Sequence, residues 1–259
     1  MTTFKIASWN VNSLKVRLPH VLNWLNEIKP DVLAMQETKI IDAVFPYDEF
    51  AKQGYVAISS GQKTYNGVAI LWKEKALDIM TSFPGFDDPQ RRILGVTVGD
   101  IRVINLYIPN GQSVGSEKYQ YKLTWLNYLK EYLKQELLKY PRIIVLGDFN
   151  IAPQEIDVYE PLLWQGKVLF SEPERAAFQD ILQLGFVDTY RILNPMDKKF
   201  SWWDYRLYAF KRNQGARIDH ILASDALVSY CRQSTIDPTP RGWERPSDHA
   251  PVYAEFHFN

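Results

Sequence analysis

Asp248 and His249 stand side by side in Pro246-Ser-Asp-His-Ala-Pro251, just before an alternating segment that runs to Phe256. An acid and an imidazole held at a strand mouth suit phosphoryl chemistry, where protons must move and charge must be stabilised. Four more apolar runs end in polar groups. Asn10 follows Phe4 to Trp9, Glu37 follows Asp31 to Gln36, Tyr107 follows Ile101 to Leu106, and Asp148 with Asn150 follows Arg142 to Gly147. Glu37 offers the hard anionic oxygen that Mg²⁺ prefers. Asp148 could accept a proton from water while a neighbouring amide orients a phosphate. Taken singly, each has a plainer meaning: Glu37 as the first solvated residue after a strand, Asn10 and Asn12 as turn residues, Asp148 to Asn150 as an Asx turn into Ile151-Ala-Pro153. Spacing places Asp148 and Asn150 on one side of an extended chain. Asp219, inside Arg217-Ile-Asp-His-Ile-Leu222, is a carboxylate in an apolar strand pattern and needs a partner. His249 is the natural one, because a carboxylate behind an imidazole fixes its tautomer and favours its charged form. His220 reads as structural, and His20 and His257 carry no functional signal.

The elements that must position these groups are mostly strands. Besides the runs above, Tyr55 to Ser59, Gly67 to Trp72, Arg92 to Val98, Arg217 to Leu222 and Pro251 to Phe256 carry the β-branched and aromatic bias of strands. Three segments read as helices: Leu18 to Ile28, Lys118 to Leu138, and Glu172 to Leu184, the last preceded by Ser171 with Glu174 placed for a capping box. Two mixed sheets packed face to face with helices outside would bury the apolar strands and leave their polar ends on one edge. No linker, repeat or low-complexity tract divides the chain, so residues 1–259 are expected to form one domain.

Composition narrows the class. The 259 residues are 46% hydrophobic and 14% aromatic, enough for a large core. One cysteine, Cys231, excludes an internal disulfide, no apolar stretch approaches a membrane span, and the N-terminal residues lack a signal peptide's apolar segment; a cytoplasmic setting is expected. Thirty basic against thirty acidic residues give zero formal charge, which counts against broad affinity for nucleic acid, although Lys211, Arg212, Arg217, Arg241 and Arg245 could form a local basic face.

Together the clusters resemble the exonuclease III family of abasic-site (AP) endonucleases, within the endonuclease/exonuclease/phosphatase superfamily. The matching motifs are Ser8-Trp-Asn-Val-Asn12, Gln36-Glu-Thr-Lys39, Asn105-Leu-Tyr-Ile-Pro-Asn-Gly111, Gly147-Asp-Phe-Asn150, Phe200-Ser-Trp-Trp-Asp-Tyr205, Arg217-Ile-Asp219 and Pro246 to Pro251, in order along nearly the whole chain. Those around Glu37 and Asp248 specify the superfamily; the Tyr107 to Gly111 and Phe200 to Tyr205 segments point to the DNA-repair branch. The resemblance implies a four-layer α/β sandwich of the DNase I-like type. It implies Mg²⁺-dependent hydrolysis, with Mn²⁺ as a substitute, of the phosphodiester 5′ to an abasic nucleotide in double-stranded DNA, alongside 3′-phosphatase, 3′-diesterase and 3′→5′ exonuclease activity. Glu37 would hold the metal, with Asn12, Asp248, Asp148 and Asn150 near it. Relatives carrying Asp where Asn12 stands leave its metal role open. Asp148 would activate or position water or protonate the leaving oxygen; Asn10 and Asn150 would orient phosphate and water; Asp219 would hold His249 against a phosphate oxygen, and Tyr107 would contact phosphate or leaving group.

An extruded abasic sugar needs a small apolar pocket, which Trp202, Trp203 and Ile218 could form, with Tyr205 and Phe210 in support and Asn110 and Arg217 toward the DNA. Because neighbours on a strand face opposite ways, at least one tryptophan belongs to the core. Ala216 stands where some relatives carry a bulky aromatic, which suggests a roomier pocket. Gly166, in Trp164-Gln-Gly-Lys167, would leave space for a flipped sugar. The partner is damaged or 3′-blocked duplex DNA, the protein a monomer, and no membrane is involved. Two other readings stay open: a specialised 3′-end-processing enzyme without AP-site incision, and an inositol-phosphate or lipid phosphatase using Glu37, Asp148, Asp219 and His249 on another leaving group. A non-catalytic DNA-binding module would bind without metal or turnover.

Overall fold

The computed structural model describes residues 2–74 and 76–258. Its strands are β1 (Thr2–Asn10), β2 (Val32–Gln36), β3 (Val56–Ser60), β4 (Val68–Trp72), β5 (Ala76–Met80), β6 (Ile93–Val98), β7 (Ile101–Tyr107), β8 (Ile143–Asp148), β9 (Phe186–Asp188), β10 (Asp219–Ser224), β11 (Cys231–Ile236) and β12 (Val252–Phe258). The helices are α1 (Leu14–Ile28), α2 (Tyr47–Ala51), α3 (Glu117–Leu137), α4 (Pro161–Trp164), α5 (Glu172–Gln183), α6 (Thr189–Leu193) and α7 (Asp225–Val228).

The strands form two six-stranded sheets, ordered β11-β12-β1-β2-β4-β3 and β5-β6-β7-β8-β10-β9. Their facing sides make the central core, Ile6, Val32, Val68 and Ile70 meeting Leu94, Val96, Val103, Ile144 and Leu146. The outer faces are equally apolar and are covered by helices, since a strand buried on both sides reads as a continuous apolar run. Val21, Trp24 and Leu25 of α1 pack on Ala7, Trp9, Leu33 and Met35. Trp125, Leu129 and Leu133 of α3, with Phe178 and Ile181 of α5, pack on Ile104, Leu106, Ile143 and Val145. These four layers are the expected sandwich.

Each sheet holds one parallel pair joined by a helical crossover: β1 with β2 through α1, and β7 with β8 through α3. Parallel pairing aligns the C-terminal ends of both strands, so Asn10 lies opposite Gln36, just before Glu37, and Tyr107 lies opposite Asp148. Antiparallel β10 starts where β8 ends, placing Asp219 opposite Asp148. The sheets are also joined by a polar link. Gln36 Nε2 donates to Asn105 Oδ1 at 2.7 Å, and Asn105 Nδ2 donates to the carbonyls of Met35 and Ala69, each at 2.9 Å. Each of these groups is buried, so the bonds replace water that the interior excludes.

The structure starts α1 at buried Leu14 rather than at Leu18, with Pro19 inside the helix, and begins the strand expected from Arg217 at Asp219. The Ser171–Glu174 capping box forms. Three strands have no counterpart in the pattern: β5 with its exposed middle, three-residue β9, and β11, whose Arg232 and Gln233 face solvent. All three lie at sheet edges, where one-sided burial leaves little apolar signal.

Candidate active site

Asn10 ties the two sheets' polar ends together, its Nδ2 donating to Glu37 Oε1 and to Asp148 Oδ2, both at 2.9 Å. The backbone around this junction is strained in a consistent way: Asn12, Ser13, Glu37, Lys39 and Asn150 all have positive φ. Such conformations cost free energy in non-glycine residues and gather where side chains must be aimed.

Asp148 and Asn150 do not lie along an extended chain. Asn150 is left-handed at φ 51°, and its N–H donates to Asp148 Oδ1 at 2.9 Å. The Asx turn and the functional arrangement are one structure. The Asn150 amide is engaged on both sides, Oδ1 accepting from Asn110 Nδ2 and Nδ2 donating to the Ile108 carbonyl, each at 3.0 Å. Its oxygen is aimed at Asn110 rather than at Glu37, which disfavours it as a metal ligand.

His249 is fixed by pairing of its strand segment with Trp202, itself paired with Ala216. Its Nδ1–H donates to Asp219 Oδ2 at 2.9 Å, and its Nε2 lies 3.7 Å from Asp148 Oδ2. Burial would discharge the ring, but Asp219 and then Asp148 outweigh it and push the imidazole well above its ordinary value. Burial raises the Asp148 carboxyl; the His249 charge opposes this and Asp219 adds to it. Tyr107 is held as a phenol, first by burial and then by the Glu37 charge, against the opposing pull of Arg92. The Arg92 guanidinium lies over the Tyr107 ring, 4.5 Å from its centroid.

Glu37, Asp148 and His249 each turn one potential ligand atom toward a common point, within 4.8 Å of one another. A metal ligand must be a neutral imidazole, so His249, charged and paired, is a poor third donor; the carboxylates fit a hard cation better. The neighbouring lysine supports that. Lys39 Nζ donates to Asn12 Oδ1 at 2.6 Å and to Glu37 Oε2 at 2.8 Å, so the oxygens already gather around a positive charge. Lys39 carried no separate role in the sequence pattern, though it stands two residues beyond Glu37. Asp248 is more fully used: Oδ1 accepts from Asn12 Nδ2 at 2.9 Å and Oδ2 from Trp202 Nε1 at 3.0 Å. Burial would raise its carboxyl, but His249 and these two donors hold it below the usual range. It orients Asn12 and Trp202.

Cavities flank the centre. One of about 570 Å³ is lined by Tyr65, Arg92, Tyr107, Asn110 and Lys118. Another of about 670 Å³ is lined by Tyr159, Trp164, Trp202 and Leu207. Trp164 meets Trp202 edge-on, ring centroids 6.4 Å apart, over a buried base that includes Ala216 and Ile218. The space beside Ala216 is therefore shared with an aromatic from α4. Trp203 faces the opposite way into the core, its Nε1 bonded to Asn213 Oδ1. Ile218, 1% exposed, lies beneath the pocket.

Arg217 does not face DNA. It is 1% exposed, with Nε on Asp157 Oδ1 at 2.7 Å and Nη1 on Asp188 Oδ2 at 2.8 Å. Both partners are distant in sequence, and nothing local distinguishes this arginine from a surface one. Gly166, at φ +69° with no atom within 4 Å of a Cβ, lines a different cavity with Pro153, Gln154 and Arg175.

Residues 7–249 match the Endonuclease/Exonuclease/phosphatase family. The chain is 40% identical to exodeoxyribonuclease III of Haemophilus influenzae over 97% of its own length and 99% of that protein's. Among solved structures, a 3′ phosphatase from Neisseria bound to product DNA hairpin superposes with a TM-score of 0.97 at 44% identity, and an AP endonuclease from Archaeoglobus fulgidus with 0.95 at 41%. Each comparison covers 98% of this chain and 100% of the other.

Proposed function

The chain belongs to the endonuclease/exonuclease/phosphatase family, and on that premise we propose that it is a Mg²⁺-dependent DNA-repair hydrolase. It cuts the phosphodiester 5′ to abasic sites in duplex DNA and also clears blocked 3′ ends. The observation that carries this reading is the array Asp219–His249–Asp148–Asn10–Glu37, an unbroken path of charge and hydrogen bonding across the ends of both sheets. The relatives named above are an exodeoxyribonuclease, a 3′ phosphatase bound to product DNA and an AP endonuclease, which favours DNA over an inositol phosphate.

Glu37 would hold the ion, with Asp148 and the Asn12 oxygen beside it and Mn²⁺ able to replace Mg²⁺. When bound, the ion neutralises developing phosphate charge and acidifies water. His249, kept charged by Asp219, donates its Nε2–H to a non-bridging phosphate oxygen. Asp148, pointed by Asn10 and the Asn150 N–H, takes the proton from the attacking water; as the new P–O bond forms the P–O3′ bond breaks, and the departing 3′ oxygen takes a proton from solvent water to leave as a hydroxyl. Tyr107 and Asn110 hold the phosphate from the other side, and the deoxyribose rests against Trp202 and Trp164, an apolar surface suited to a sugar without a base. Residues from Asn10 to His249 build one centre, so we take positions 1–259 as one catalytic unit, acting as a monomer. No helix among the described residues is long and apolar enough to cross a membrane, and the lone Cys231 favours a cytoplasmic setting.

A 5′-labelled duplex with one stable abasic analogue tests this. Incision at the lesion alone, abolished by EDTA and by Asp148→Asn, is the expected result. Release of a 3′ phosphate or of terminal nucleotides without incision would shift the function to end processing, and no activity on any DNA would refute it.

A further inference from the structure

Behind the site lies a charge that the proposed chemistry leaves idle. Lys122 and Glu174 are both 0% exposed, with Lys122 Nζ 2.5 Å from Glu174 Oε1. The same ammonium donates to the Asn150 carbonyl at 2.7 Å and to the Asn110 carbonyl at 3.2 Å. Three N–H donors meet three acceptors. We infer that Lys122 is a positioning residue: anchored by Glu174, it fixes the backbone of Asn110 and Asn150 and so the amide pair that flanks Asp148. This rests on the reading of the site as a phosphodiesterase centre.

The argument is one of placement. Asn110 follows β7 and Asn150 follows β8, so one ammonium spans the exit loops of the parallel pair that delivers Tyr107 and Asp148. Asn150 occupies a left-handed conformation, which needs outside support, and the bond to its carbonyl supplies it. Glu174 also accepts from the backbone N–H groups of Leu169 and Ser171 and from the Ser171 hydroxyl. The clamp therefore joins α3, α5 and the loop before α5 to the catalytic turn. A buried ion pair is often no more stabilising than apolar packing of similar volume, so stability alone is a poor reason for it. Burial pulls the lysine down and the Glu174 charge opposes that.

Helix α3 carries its own control. Near its other end Glu136 pairs with Arg102 at 2.9 Å, both side chains 4% exposed, with Arg102 also bonded to Tyr132 and neither residue near the centre. Lys122→Met, Lys122→Gln and Arg102→Met would be compared for urea stability, for kcat and KM on the abasic duplex, and for the side-chain amide resonances of Asn110 and Asn150 in metal-free protein. All three should lose stability. Lys122→Met should lose kcat by about 100-fold, the scale of a displacement near 1 Å, with KM changed less than about threefold. Lys122→Gln, which keeps two of the three N–H donors, should recover part of that loss. Arg102→Met should keep kcat per folded molecule, and only the Lys122 variants should shift the two amides. Unmoved amides in Lys122→Met, or equal kcat losses at Lys122 and Arg102, would overturn the inference. A wild type that fails to cut abasic DNA would refute the function instead, and the amide resonances would still decide the role of Lys122.

Discussion

Replacing Arg217 by methionine should destabilise the protein and leave its grip on DNA unchanged. The side chain is enclosed by Asp157 and Asp188, and removing one member of a buried charge cluster typically costs about 3–5 kcal/mol, because the remaining charges lose compensation. Here both carboxylates keep partners. Asp157 retains Arg191 at 2.5 Å and the Gln154 N–H at 3.0 Å, while Asp188 retains the N–H groups of Tyr190 and Arg191 at 3.0 and 3.2 Å. The loss should sit near the low end, about 3 kcal/mol, or a fall of about 1 M in the urea midpoint for a slope near 3 kcal/mol/M. Burial would raise the Asp157 carboxyl, but Arg217 and Arg191 together hold it below its ordinary 3.8. A carboxylate depressed in the folded state contributes stability above its unfolded value and loses it as pH falls through the folded one. The gap between wild type and variant should therefore narrow below about pH 4. Affinity for an abasic duplex measured against salt separates this account from the alternative, since losing a phosphate contact lowers the log–log slope by about one. An unchanged urea midpoint with a slope reduced by that amount would refute the reasoning and return Arg217 to the DNA face.

Asp219→Asn should leave folding intact but lower kcat by about 10³–10⁴, because the imidazole loses the anion that fixes its tautomer and charge; a loss under tenfold would mean that His249 acts without it. His220 is depressed to about 4 from 6.5, mainly by burial and next by Arg217. Its unfolded form binds the extra proton in that window, so stability should decline as pH drops from 6.5 toward 4, by up to about 1.4 kcal/mol per unit. His220→Gln should flatten this dependence, and parallel curves for the two proteins would sink the assignment. Gly166→His should reduce abasic-site incision and spare 3′-phosphatase activity if this loop borders the damaged strand. Equal loss of both, or of neither, would discard that role, bearing in mind that φ +69° strains any side chain there.

The sequence carried the site further than it carried the outer elements, for a physical reason. Asn10, Glu37, Tyr107 and Asp148 each end a run that must be apolar on both sides, so the first polar residue marks where the chain leaves the core. Asp219 was legible as a carboxylate in the wrong surroundings, and His249 as its answer. Pair geometry decided the rest. Asp248 looks like a ligand by type, yet it spends both carboxylate oxygens on Asn12 and Trp202. Arg217 and Lys122 are ordinary cations until Asp157, Asp188 and Glu174 arrive from other parts of the chain. Trp202 and Trp203 obeyed strand alternation, whereas the approach of Trp164 depended on where α4 docks.

The Gln36–Asn105 link bears on how activity is acquired. Apolar faces tolerate sliding, but an amide that must meet one carbonyl does not, so the link sets the relative position of the two sheets. Neither sheet alone holds a working half: one supplies Asn10 and Glu37, the other Tyr107, Asp148 and Asp219. During refolding, catalytic competence must wait for docking in this single alignment, however early either sheet acquires its own hydrogen bonds. Enzymatic activity thus becomes a clock for the final assembly step, and loosening this link by Asn105→Leu should delay its start more than it delays the growth of secondary structure.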